Sequence, residues 1–111
     1  MPVTISEDDL TAMVQNIVAA VQPEQVVLFG SLARGEATAE SDIDLLIVEQ
    51  EGFTERSRWR EMQVIRQAIA DFRIAKDILL YSREEVARWR NSVNHVVAHA
   101  MQEGRSLYER S

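Results

Sequence analysis

From Leu10 to Val21 the apolar residues recur at helical spacing: Leu10, Met13, Val14, Ile17, Val18 and Val21 fall on one face. Ser6 reads as the N-cap of this helix, with Asp9 in the reciprocal position of a capping box and Glu7 and Asp8 in the first turn. Pro23 ends it. The rhythm then changes. Val26 to Phe29 is an unbroken apolar run, the pattern of a buried strand, and it stops at Gly30-Ser31, where the chain must turn. Leu32 to Glu36 is predicted as one helical turn that presents Arg34, and Ala37 to Ser41 as a polar loop. Ile43 to Glu49 alternates but is apolar on both faces, which predicts a central strand covered by helices.

After a turn at Gln50 to Phe53, Thr54 reads as an N-cap. Trp59, Met62, Ile65, Ile69 and Phe72 mark the stripe of a helix running to about Asp71. Arg56, Arg58, Arg60, Arg66 and Glu61 lie largely off that stripe. Ile74 to Tyr81 is the third strand, with Asp77 interrupting its apolar pattern. Ser82-Arg83-Glu84-Glu85 is a capping box opening a short helix through Val86 and Trp89. Ser92 reads as the cap of a further helix with Val93, Val96, Val97, Ala100 and Met101 on one face, and Gly104 fits its stop. Ser106 to Glu109 is a short closing strand or an extended tail. Strands interleaved with helices predict an α/β fold (α+β, two layers): a small mixed sheet with helices packed on it.

With 111 residues the chain is long enough for one domain, residues 1–111, with one modest core. Hydrophobic residues make up 46% and charged residues 27%, as in ordinary soluble domains. No apolar run is long enough to span a membrane, and the acidic N-terminus lacks a signal-peptide layout. The absence of cysteine excludes disulfides, zinc–thiolate sites and cysteine nucleophiles, and a cytoplasmic location is expected. A net charge of −6 argues against broad nucleic-acid binding, which needs a basic surface; it suits a basic protein partner or a metal–nucleotide complex.

The candidate chemistry lies at the ends of the first two strands. Asp42 and Asp44 are two residues apart, so in a strand they project from the same face. Two carboxylates side by side repel, and a divalent cation would remove that penalty. Mg²⁺ takes oxygen ligands and is typically bound by one or two carboxylates together with substrate phosphates. The Gly30-Ser31 turn would supply phosphate contacts: Gly30 has no side chain to block the approach, and backbone N–H groups and the Ser31 hydroxyl can donate.

Gly30-Ser31, ten intervening residues, then Asp42-x-Asp44, with Ala33-Arg34-Gly35 and Ser41 between, resembles the signature of the polymerase-beta-like nucleotidyltransferase superfamily, in its minimal, MNT-type branch. The resemblance implies the superfamily's palm domain without accessory domains. It implies a nucleotidyltransferase that moves AMP from ATP, with two Mg²⁺ ions, to a hydroxyl acceptor. Asp42, Asp44 and Asp77 would be the catalytic and metal-binding residues, and Gly30, Ser31, Arg34 and Ser41 would contact the nucleotide. It also implies a partner: MNT-type proteins resemble the antitoxin half of HEPN–MNT pairs, in which the transferase adds AMP to a tyrosine of a HEPN-type ribonuclease toxin within a hetero-oligomer. The alternatives are a non-catalytic antitoxin that neutralises its partner by contact, and a transferase acting on a small molecule such as an aminoglycoside.

Other features have plainer readings. His95 and His99 are spaced i, i+4, as on a metal-binding helix, but lie opposite the apolar face and lack the Glu of the zincin pattern, so solvent exposure is expected. Trp59, Trp89, Tyr81 and Tyr108 are expected in the core or at an interface rather than as a base-stacking platform.

Overall fold

A computed structural model describes residues 6–33 and 42–110, with only the backbone of Ser31 and Leu32. The order is α1 (Glu7–Val21), β1 (Gln25–Phe29), α2 (Gly30–Ala33), β2 (Ile43–Glu49), α3 (Glu55–Ala68), β3 (Lys76–Ser82), α4 (Arg83–Trp89), α5 (Val96–Glu103) and β4 (Arg105–Glu109). The strands form a mixed sheet in the order β3-β2-β1-β4. β1 is antiparallel to β2 and β4, while β2 and β3 are parallel, joined through α3. A register shift between Val26 and Val27 lets the closing strand β4 follow β1.

Strand alternation sorts the core into two clusters. Val26, Leu28, Ile43, Leu45, Ile47, Ile78 and Leu80 face α1 and α3, meeting Met13, Ile17, Ile65 and Ile69. Val27, Leu46 and Val48 face the other way, against Val86 of α4 and Val97 and Ala100 of α5. The sheet backed by α1 and α3 is the two-layer body that the sequence predicts. The smaller α4–α5 layer covers part of the second face. β2 is buried from both sides, as its doubly apolar sequence requires.

The helix starts follow their caps. The Ser6 side chain accepts from Asp9 N at 3.0 Å. Thr54 and Ser57 cap α3 reciprocally, and Ser82 and Glu85 do the same for α4. α3 ends at Ala68, three residues before the predicted Asp71, because the chain there tightens into turns, Ala70 N to Gln67 O and Phe72 N to Ile69 O. β3 starts two residues later than predicted.

Several expectations are corrected. Ser92 does not cap α5: the helix begins at Val96 and His95 is its N-cap, with Nδ1 accepting from Val97 N at 3.1 Å. Val93, expected on the apolar face, is therefore outside the helix and 85% exposed. His95 is half-buried rather than exposed, stacked on Trp89 at 4.6 Å between ring centroids and edge-on to Tyr81. Trp59, expected in the core or at an interface, is not in the core: it is 65% exposed.

No helix among the described residues is long and apolar enough to cross a membrane.

Candidate functional site at the Gly30 end of the sheet

β1 delivers the chain to Gly30, which takes φ +76°, a left-handed conformation that side chains other than glycine resist. α2 starts on that residue. The last residue of β1, Phe29, pairs with Asp44 on β2. A Cβ built on Gly30 would stand 3.0 Å from the Asp44 carboxyl carbon and closer still to Oδ2. The missing side chain thus makes room for the Asp44 carboxylate itself. The sequence alone points to phosphate access as the use of that space; the structure gives it to the carboxylate.

On the other side of β2, Asp44 stands in parallel register with Asp77 on β3. Asp44 alternates with Leu46 and Val48, and Asp77 with Leu79 and Tyr81, so both aspartates share the α4–α5 face of the sheet. The helices of that face cover the middle of the sheet, while Asp77 and Asp42 are exposed and Asp44 is half-buried. Asp42, two residues before Asp44, continues the same face just ahead of the strand. Lys76 turns to the opposite face, where Nζ donates to Phe72 O.

Among the described residues the site's side-chain ligand atoms are carboxylate oxygens, a set that fits a hard divalent cation completed by phosphate oxygens and water. Among the described residues no three His, Asp or Glu side chains close on one point as a full cage. Two carboxylates sharing an ion with a triphosphate need no such cage.

Arg34 and Ser41 lie outside the described residues, as does the side chain of Ser31. His95 and His99 do not form a pair, since one caps α5 and the other lies exposed on it. One supporting residue escaped the sequence reading. Gly104, which the sequence marks only as a helix stop, packs against Leu28 O and the Val27 side chain, so a Cβ at this position would strike both and Ala100 O. It seats the end of α5 against β1, the strand that leads into Gly30. Its signal in the sequence, a glycine after a helix, does not distinguish a stop from a close approach.

Solved structures share this architecture. A chain from Sulfolobus solfataricus assigned to the nucleotidyltransferases superposes with a TM-score of 0.64 at 22% identity, over 93% of this chain and 79% of that one. A toxin–antitoxin structure with AMP-PNP gives 0.60 at 17% identity, over 96% and 76%. The MntA–HepT toxin–antitoxin gives 0.56 at 15%, over 95% and 74%. At these identities the likeness is one of fold. No curated protein sequence matches the chain. The model of the nucleotidyltransferase domain matches residues 13–99, from α1 through the Gly30 turn and all three aspartates into α5, and the chain belongs to that family.

Proposed function

We propose that the chain moves AMP from ATP, with Mg²⁺, to a hydroxyl of a protein acceptor, a tyrosine of a HEPN-type ribonuclease toxin, and acts as that toxin's antitoxin in a hetero-oligomer. The observation that carries the reading is the alignment of Asp44 with Asp77 across β2 and β3, beside the Gly30 turn. The partner is supported by the toxin–antitoxin structures that share the fold, one of them with AMP-PNP.

Asp42 and Asp44 would hold the cation. When bound, Mg²⁺ would offset the charge of the triphosphate and acidify the acceptor hydroxyl. Gly30 and Ser31 would hold the β and γ phosphates through donors at the start of α2. Arg34 and Ser41 would flank the nucleotide, as the motif implies. Asp77 would accept the proton of the acceptor hydroxyl as its oxygen attacks the α-phosphorus. The bond from that phosphorus to the bridging oxygen then breaks, and pyrophosphate leaves with the electron pair. Exposure of Asp42 and Asp77 leaves this end of the sheet open to a macromolecular acceptor.

The test is intact mass spectrometry of the product of the adjacent gene, expected to be a HEPN-type protein, after incubation with the chain, ATP and Mg²⁺. A gain of one or more AMP units, absent with Asp42→Asn/Asp44→Asn, supports the reading. Neutralisation of the partner without a mass gain would replace it with the non-catalytic antitoxin. Adenylation of an aminoglycoside, with none on the protein, would replace it with the small-molecule transferase.

A further inference from the structure

α3 packs one side on the core through Met62, Ile65 and Ala68, and turns the other to solvent. That outer side carries Trp59, 65% exposed, among exposed Arg56, Arg60, Gln63 and Arg66. At about 100° per residue, all five fall within an arc of roughly 120°. None of these arginines has an ion pair among the described residues. Elsewhere the described arginines commonly have one: Arg58 with Glu85, Arg83 with Glu24, Arg88 with Glu84 and Arg105 with Glu7. Arg56 and Arg60 are moreover i, i+4 neighbours, and like charges at that spacing weaken a helix. A basic stripe around a bare tryptophan, in a chain of net charge −6, is thus a feature that the stability of this fold does not explain.

We propose that the outer face of α3 is a docking surface for an acidic face of the protein partner. The partner's identity rests on the function proposed above. The charge argues for the occupant. Three unpaired guanidiniums spread over about 15 Å of helix match carboxylates on a facing helix, and Trp59 supplies the buried aromatic anchor that such contacts centre on. Glu55 of the same helix borders the stripe, and Glu51 and Glu61 line a cavity with Arg60 at its edge. That border disfavours a continuous phosphate backbone, which needs broad basic surface. Trp59 belongs to the part of α3 that follows the far end of β2, and α3 lies on the sheet face opposite Asp44 and Asp77. A partner held there leaves the carboxylates open, so docking and transfer are separable.

The experiment measures the affinity of the chain for its proposed HEPN-type partner by calorimetry. It compares the wild type with Trp59→Ala and with Arg56→Glu/Arg60→Glu/Arg66→Glu, whose folding is checked by circular dichroism. The expected result is a loss of about tenfold or more for each variant, with wild-type affinity falling as salt rises. Unchanged affinity in both variants overturns the surface and leaves the proposed function standing. No complex with the wild type overturns both. Two other outcomes overturn the proposal for another occupant. One is single-stranded RNA that binds the wild type and not the arginine variant in fluorescence anisotropy. The other is a wild-type homodimer in light scattering that Trp59→Ala dissolves.

Discussion

The Asp44 carboxylate occupies the space that a side chain on Gly30 would need. Backbone and carboxylate are therefore fitted to one another at the turn where β1 ends. Gly30→Ala meets two penalties, a left-handed φ and a collision with Oδ2. It is expected to destabilise the fold by about 1–3 kcal/mol. Transfer should fall further than the unfolded fraction accounts for, because the carboxylate must swing away. Urea denaturation and AMP transfer on the same sample separate the two effects.

Asp77 faces Asp44 across a parallel ladder, and like charges opposite one another in a sheet are unfavourable. Asp77→Asn should stabilise the protein without metal or nucleotide by about 0.2–1 kcal/mol. The same change should lower AMP transfer by about 10²- to 10⁴-fold, the range for loss of a proton acceptor. Chelation of Mg²⁺ should abolish transfer by the wild type. A variant that is both less stable and fully active would count against the role assigned to Asp77.

Glu49 closes β2 at the far end of the sheet, beside a cavity of about 290 Å³ lined also by Glu51, Phe53, Ser57, Arg60 and Glu61. Burial pushes its carboxyl up to about 8, and a hydrogen bond and the charge of Glu61 push the same way. The folded state thus holds a proton that the unfolded chain releases from about pH 4.5. Stability should therefore fall as pH rises from 4.5 to 8, the reverse of the usual carboxylate. Glu49→Gln should flatten that slope and raise the melting temperature above pH 8. Thermal melts from pH 5 to 9 decide it.

Arg58 ties three elements together. Its guanidinium donates to Leu80 O on the sheet edge, grips both carboxylate oxygens of Glu85 at 2.9 and 2.8 Å, and lies over the Phe53 and Tyr81 rings. Burial raises the Glu85 carboxyl, but the Ser82 backbone N–H and Arg58 more than offset this and hold it below its ordinary value. Arg58→Ala leaves these acceptors without their donor and should cost about 1–3 kcal/mol. Arg58→Lys should recover only part, since an ammonium cannot form the paired contact. Chemical denaturation of both variants measures the difference.

Much of the fold was legible where local chemistry and packing agree. The bounds of β2 followed from a run that is apolar on both faces, and Ser82-x-x-Glu85 from a reciprocal cap. The face shared by Asp42 and Asp44 followed from strand alternation alone. What the sequence could not show depended on tertiary contacts. The stripe drawn from Trp59 through Met62 to Ile65 advances by threes, and two such steps turn about 120° away from Ile65. Periodicity cannot say where along that drift the core stops, and it stops before Trp59. His95 replaces Ser92 as a cap because stacking on Trp89 holds its ring beside the first turn of α5, a contact between residues brought together by the fold. The pairing of Asp44 with Asp77 had the same limit, since a β-strand's register against a distant partner is not written in either strand.

The parallel pairing of β2 with β3 also fixes when the protein becomes competent during its own synthesis. A parallel neighbour cannot be reached by a tight hairpin, so β3 joins β2 only after α3 has emerged and folded back. A nascent chain that ends before Asp77 holds Gly30, Asp42 and Asp44 but lacks the carboxylate assigned to take the proton. On the proposed reading, partial copies that end between α3 and Asp77 bear the stripe around Trp59 yet lack the proton acceptor for transfer, and the growing chain passes from one condition to the other as a single strand seats.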